Sequence, residues 1–257
     1  MKKSLFFFLF LTVTASIFGL TAQDVLDKVK DSQNNFETQK AVYSIILSDN
    51  NKTQKTRKID IYILISSDKG EKLPISLLRV TEPKDLQNTT VLNLSKTEQY
   101  IYLPGFKQVK RVSGSSKNES FLDTDINYSD MTLLFSSTIE QEHTSSISSE
   151  DEKSYTIDIK LTAQDSDYSK MTVGVDKKDF VIKYAEFFGK KEQIVKKMEI
   201  MDYESSGEYI TYKKVLITSL ENKHSTLLEL VSSEYGIPIT KSFFNKLSMT
   251  NPVLVYR

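Results

Sequence analysis

The feature that most constrains this chain is a succession of segments with apolar residues at every second position. Ile59, Ile61, Ile63 and Ile65 alternate with Asp60, Tyr62 and Leu64. Tyr155, Ile157, Ile159 and Leu161 alternate with Thr156, Asp158 and Lys160, and Met171, Val173 and Val175 follow the same rule. A period of two puts successive side chains on opposite faces of an extended chain, so these segments read as strands. Further β-rich runs occupy 41–47, 75–81, 90–94, 180–188, 193–203, 209–218 and 226–232, mostly separated by short polar turns. About eleven strands in sequence predict an antiparallel meander, bent into a strongly curved sheet or barrel.

Several of these strands are apolar on both faces: Tyr62 and Leu64 beside the isoleucine series, Leu227 and Val231 beside Leu228 and Leu230. A sheet with one solvated face would not show this. The pattern predicts an apolar interior and an outer face covered by helices. Helical spacing supplies the candidates: 24–36 with Val25, Leu26 and Val29, 128–135 with Met131, Leu134 and Phe135, and 240–248 with Phe243, Phe244 and Leu247. Thr21 to Asp24 fits a capping box for the first, provided Thr21 is retained. Pattern alone leaves open whether the interior is filled or hollow, although this many strands enclose more space than side chains usually fill.

Between the strands lies one unusual insertion. Tyr100 and Tyr102 sit on an alternating segment, Pro104-Gly105 predicts a type II turn, and Lys107 to Val112 runs back as a hairpin partner. About fifteen mostly polar residues follow, anchored by Phe121-Leu122, before the helix at 128–135. Loops of this length in a folded domain are usually functional or disordered. The serine-rich stretch 143–154 reads as a surface loop.

Residues 1–22 read as a secretory signal peptide. Lys2 and Lys3 form the basic start, Leu5 to Leu20 the apolar stretch, and Gly19 and Ala22 the small residues near the cut. Cleavage is expected after Ala22, with Gly19 as the alternative site and a retained membrane anchor as the alternative reading. Residues 23–257 then form a single domain, because no Pro/Gly/Ser linker divides them. The chain has no cysteine, which removes disulfides, a lipid-modified N-terminal cysteine, thiolate metal sites and a cysteine nucleophile. It carries 34 basic and 34 acidic residues, so it has no overall basic field for nucleic acid. Lys107, Lys110, Arg111 and Lys117 make a local basic patch.

The usual catalytic and metal signatures are missing. His143 and His224 lie in polar segments with no ligand at metal spacing, and both read as solvated loop histidines. There is no GxSxG elbow, phosphate loop or dinucleotide fingerprint. Asp123, Asp125 and Asn127 open like a calcium loop, but Tyr128 and Leu134 stand where its glycine and glutamate belong. Asn127 or Ser129 instead caps the short helix, with Asp130 in its first turn. No catalytic residue, metal or cofactor is expected. A hydrolase would require a histidine placed beside Ser and Asp.

Residues 98–131 resemble the signature of the outer-membrane lipoprotein-sorting family, the LolA-like periplasmic carriers. Tyr102, Leu103 and Pro104 carry its first part, Lys110, Arg111 and Val112 its second, and Ser120, Phe121, Asp125, Tyr128 and Asp130 the remainder. Residues 77–92 are similar to the family's strand, Pro turn, strand element. Asp123-Thr124 replaces Gly-Ser, Ser129 replaces Glu, and Asn88 or Thr89 stands where Gly is usual. The resemblance implies an unclosed antiparallel β-barrel with short helices over its mouth and a hydrophobic cavity for acyl chains. It implies a monomeric periplasmic carrier or binder of lipoprotein acyl chains or other lipid, receiving cargo from an inner-membrane export complex and passing it to an outer-membrane acceptor. A non-carrier binding or sensor module on the same fold is the alternative.

On that basis Ile61, Ile63, Tyr100, Tyr102, Phe106, Ile157, Ile159, Val173 and Val175 are the expected cavity wall. Tyr100, Tyr102 and Phe106 serve equally well as outer cover. Phe121, Leu122, Tyr128, Met131 and Leu134, within 113–136, are the expected lid.

Overall fold

The structure, a computed structural model, describes residues 19–49, 52–68, 71–95, 97–136, 143–162, 166–206 and 209–253. Most of the segment read as a signal peptide, the turn at Gly207 and the Phe135 side chain lie outside the described residues. Among the described residues no helix is long and apolar enough to cross a membrane.

The first half of the chain is a six-strand meander: β1 (Thr38–Asp49), β2 (Lys52–Asp68), β3 (Glu71–Glu82), β4 (Thr90–Ser95), β5 (Glu98–Leu103) and β6 (Gln108–Val112). The second half runs through β7 (His143–Glu150), β8 (Ser154–Leu161), β9 (Tyr168–Asp176), β10 (Ile182–Gly189), β11 (Ile194–Ser205), β12 (Ile210–Ser219) and β13 (His224–Tyr235). All thirteen described strands join one antiparallel sheet in the order β6-β5-β4-β3-β2-β1-β13-β12-β11-β10-β9-β8-β7. The first meander steps outward to one edge. The second begins at the opposite edge and steps back until β13 pairs with β1. The sheet is therefore unclosed, with β6 and β7 as its edges, and the chain passes from one edge toward the other through a segment described over residues 113–136.

The inner face holds the main core. Ile45, Ile59, Ile61, Ile63, Val91, Ile101, Ile157, Ile159, Val173, Val175, Met198, Ile217 and Leu228 are buried in one apolar cluster. Helix α1 (Ala22–Gln33) adds Ala22, Val25 and Val29, and helix α2 (Asp130–Ser136) adds Met131, Leu133 and Leu134. The capping box at α1 is present: Thr21 Oγ1 accepts from Asp24 N–H, and Asp24 Oδ2 accepts from Thr21 N–H at 2.8 Å.

The outer face of β2 to β5 carries a second cluster. Tyr62, Ile75, Leu77 and Leu92 are covered by Ile237, Ile239, Phe243, Phe244 and Met249 from the C-terminal segment. That segment contains one 3-10 turn, Lys241–Phe243, and helix α3 (Lys246–Thr250), where a single helix was expected over 240–248. Arg79, in phase with Ile75 and Leu77, clamps the segment through Nη2 to Ser248 O (2.6 Å) and Nη1 to Pro252 O (3.2 Å). This explains why these strands are apolar on both sides.

Two local expectations change. The stretch read as a serine loop contains the edge strand β7. Its side chains offer little apolar signal; Ile147 alone packs toward the core, and the strand is held by backbone pairing to β8. The hairpin turn is not type II. Pro104–Phe106 form a 3-10 turn, and the left-handed residue is Lys107 at φ 50°, not Gly105.

Candidate functional site

The segment linking the two sheet edges passes through the concavity. Phe121, Ile126, Tyr128, Met131, Leu133 and Leu134 are buried in the inner core, with Phe121 and Tyr128 edge to face at 6.1 Å. Leu122 is half-buried against the same cluster. Burial pushes the Tyr128 phenol up to about 12. Short local bonds set the shape: Phe121 N–H donates to Ile126 O (2.8 Å), and Asp130 N–H donates to Asn127 Oδ1 while Asn127 N–H donates to Asp130 Oδ2. Asn127 thus caps α2, as the sequence suggested.

Polar residues of this segment are pinned by different strands. Asp125 Oδ2 accepts from Thr226 Oγ1 (2.8 Å) and lies 2.7 Å from His224 Nδ1, both on β13. Asp125 N–H also donates to Thr226 Oγ1 (2.9 Å). Asp130 Oδ2 pairs with Lys196 Nζ of β11 at 2.6 Å, and Asn127 Nδ2 donates to the Tyr168 hydroxyl of β9. Gln99 of β5 donates to Tyr128 O. Asp123 faces Lys55 (3.7 Å) and Arg57 (3.5 Å) on β2. Burial works against the charge of Lys196, yet Asp130 and Tyr168 outweigh it and hold the ammonium above its usual range. Burial, then Asp130, pushes the Tyr168 phenol upward.

On the strand side, Arg57, Lys196 and Thr226 were not singled out from sequence and His224 was misread, yet each leaves a trace. Arg57 is in phase with Ile59, Ile61 and Ile63; Lys196 with Met198 and Ile200; His224 and Thr226 with Leu228. A charge or hydroxyl in phase with a buried apolar set is the signal. His224 is accordingly not a solvated loop histidine: its imidazole bonds Asp125. It stands beside a threonine, and the groove's serines are engaged elsewhere: Ser120 donates to Thr124 O, and Ser219 Oγ accepts from Asn222 N–H.

Of the expected wall, Ile61, Ile63, Ile157, Ile159, Val173 and Val175 lie in the inner cluster. Tyr100 and Tyr102 do not; cross-strand alternation turns them to the outer cluster, where Lys246 sits 4.1 Å above the Tyr100 ring. Phe106, at the hairpin turn, is 71% exposed. Leu103 packs partly on the inner cluster, Pro104 opens the 3-10 turn, and Arg111 donates to Thr97 O. Asn88, one of the two positions expected to replace a glycine of the resembled pattern, and Asp123, expected to replace another, can be compared directly. Both adopt the left-handed conformation that favours glycine, at φ 68° and 60°.

Among the described residues, much of the inner face is packed by the protein's own side chains. The voids there include one of about 30 Å³ among Gln33, Phe36, Tyr43, Ile61, Leu134 and Tyr212, and one of about 10 Å³ beneath α2. The larger has room for about two water molecules, not an acyl chain. Outside the crossing segment an open polar groove of about 690 Å³ runs past Asp49, Asn118, Asp123, Asp125, Asp167, Tyr168, Lys190, Lys196, Glu221 and His224.

Comparison with known proteins agrees with this architecture. A family model described as "Uncharacterized protein" matches residues 74–251. A search of curated proteins finds no match. A domain from Vibrio parahaemolyticus, described as an outer membrane lipoprotein-sorting protein, superposes with a TM-score of 0.79 at 23% identity over 90% of this chain and 98% of its own. A DUF1329 family protein from Desulfovibrio piger gives 0.77 at 19% identity, over 89% and 98%. A LolA superfamily protein from Nitrosomonas europaea gives 0.69 at 15% identity, over 90% and 100%. With more than half of its length matched by the family model, the chain belongs to that uncharacterized family, and its fold is that of the LolA-like, outer-membrane lipoprotein-sorting proteins.

Proposed function

We propose that the protein is a periplasmic binder and carrier of lipoprotein acyl chains or other lipid, acting without a covalent step in outer-membrane lipoprotein sorting. The observation that carries this reading is the crossing segment. It lays Phe121, Ile126, Tyr128, Met131, Leu133 and Leu134 on the concave face, yet its polar ties to the strands are a handful of bonds that each involve a side chain. Burying a methylene contributes about 0.8 kcal/mol. Hydrocarbon replacing the segment's own apolar side chains leaves closed and loaded states close in free energy, and the filled interior is then the closed state. Lys2, Lys3 and the apolar run to Leu20 support export.

The test is titration with a triacylated lipopeptide, read by native mass spectrometry and by hydrogen exchange over 118–136. A one-to-one complex with faster exchange in that segment is expected. A lipopeptide that neither binds nor alters exchange overturns the reading.

The filled inner face specifically favours a second reading, a non-carrier binding or sensor module on the same fold. That module would bind a protein partner with exchange over 118–136 unchanged and no lipid in the complex.

A further inference from the structure

We propose that Arg57 is an anion-binding post at the rim of the interior, receiving the carboxylate or phosphate of an acyl-chain amphiphile in the place now held by Asp123. This rests on the lipid-binding reading above and names the headgroup chemistry of that same site.

Arg57 points inward. It is in phase with Ile59 and Ile61 on β2 and directly opposite Ile45 of β1, all three buried in the inner core. It is 3% exposed, yet among the described residues its Nε–H and Nη1 hydrogens meet no acceptor. Leaving donors of a buried cation unmet is costly, and native structures rarely do so without a reason. Its ion-pair partner is Asp123, at 3.5 Å from Nη2, longer than a charge-assisted bond prefers. Asp123 is 76% exposed on its side chain and forms part of the polar groove wall. Lys55 approaches the same carboxylate oxygen at 3.7 Å. Leu122 and Asp123 both sit at positive φ, 51° and 60°, in a turn that glycine would adopt more easily.

Two cations therefore converge on one solvent-facing carboxylate, with donors to spare. The planar guanidinium fork matches an oxyanion. Beyond it the face is hydrocarbon: Ile45, Ile59 and Val80 come next in the sheet register. A charged head at Arg57 would leave its chain lying on that wall. Burial lowers the affinity of Arg57 for its proton, while Asp123 and Asp85 oppose the change.

The experiment measures binding of palmitate, of methyl palmitate with the same chain and no charge, and of a lysophosphatidic acid. Wild-type protein is compared with Arg57→Gln and Asp123→Asn. Palmitate or lysophosphatidic acid should bind wild type about tenfold more tightly than the ester. Arg57→Gln should erase that preference and leave ester affinity within about twofold. Whichever anion loses more identifies the head as carboxylate or phosphate. Asp123→Asn, at a side chain that is 76% exposed, should tighten anion binding about threefold, with a thermal melt of the variant showing that it is folded. Equal wild-type affinity for ester and anions, or equal losses on Arg57→Gln, overturns the role of Arg57 alone, as does an unchanged Asp123→Asn. Failure of all three amphiphiles to bind wild type overturns the carrier reading with it.

Discussion

Lys196 Nζ lies 2.6 Å from Asp130 Oδ2, joining the start of α2 to β11 across the mouth of the sheet. Asp130 is buried and Lys196 is mostly withdrawn from solvent, and Lys196 also covers the rings of Tyr168 and Phe187 at 5.3 and 5.8 Å. Two charges withdrawn from water depend on each other, because removing one leaves the other uncompensated. Lys196→Met or Asp130→Leu should each cost about 3–5 kcal/mol. The double replacement should recover much of that loss. Urea unfolding of all four proteins measures it; strictly additive losses would contradict the pairing.

Asp125 ties the crossing segment to β13 through three contacts, with Thr226 and His224. Asp125→Ala removes two of them, so local opening should become easier by about 1–3 kcal/mol. Amide exchange at Phe121 and Thr124 is expected to accelerate, while exchange in β8 and β9 stays as it was. Uniform acceleration across the sheet would mean that Asp125 supports global stability, not closure.

Phe121 and Phe106 give a paired contrast. Phe121 is buried beside Tyr128; Phe106 projects into solvent. Phe121→Ala should cost about 3–5 kcal/mol, and Phe106→Ala within about 0.5 kcal/mol. Thermal melts of the two variants decide the point, and a comparable loss for both would place Phe106 in a packed environment.

Alkaline stability follows from the buried phenols. Tyr128 is pushed up by burial to about 12 from an ordinary value of 10.0, and burial shifts Tyr43 and Tyr168 the same way. The unfolded chain releases these protons first. The stabilisation is therefore complete below pH 10 and is lost as pH rises through the folded value. Lys196, also raised, adds to the same trend. Melting temperature should fall between about pH 10 and 12, alongside tyrosinate absorbance that appears with unfolding. Tyrosinate forming fully before any loss of structure would refute it.

The cap of α1 bears on where an exported form begins. Thr21 bonds Asp24 in both directions. Cleavage at or before Thr21 keeps this cap, whereas cleavage after Ala22 removes it at about 1 kcal/mol. The cap therefore points to a cut before Thr21, against the cut after Ala22 that the small residues suggest; N-terminal sequencing of secreted protein decides between them, and Thr21→Ala is expected to lower stability by a similar amount.

Alternation made the inner wall readable at Ile61, Ile63, Ile157, Ile159, Val173 and Val175, because one face of each strand had to be apolar. The same logic misplaced Tyr100 and Tyr102: β5 is amphipathic on both sides, and nothing local says which side is concave. Strand β7 was hidden because an edge strand rich in serine is held by backbone bonds that leave no pattern. The contacts of Arg57, His224, Lys196 and Thr226 were also out of reach, since each partner lies between 66 and 101 positions away.

By itself, the sequence determined the strand-rich antiparallel architecture, the helical segments and the long insertion after the hairpin, all of which follow from local periodicity and turn chemistry; it placed all three helices outside, whereas α1 and α2 join the inner core and only the C-terminal segment covers the outer face. Only the tertiary structure decided that the crossing segment fills the concavity, which face each aromatic joins, and which cation answers each aspartate. Those outcomes depend on β13 pairing with β1 and on the curvature of the whole sheet, and contacts made by distant strands have no local signature.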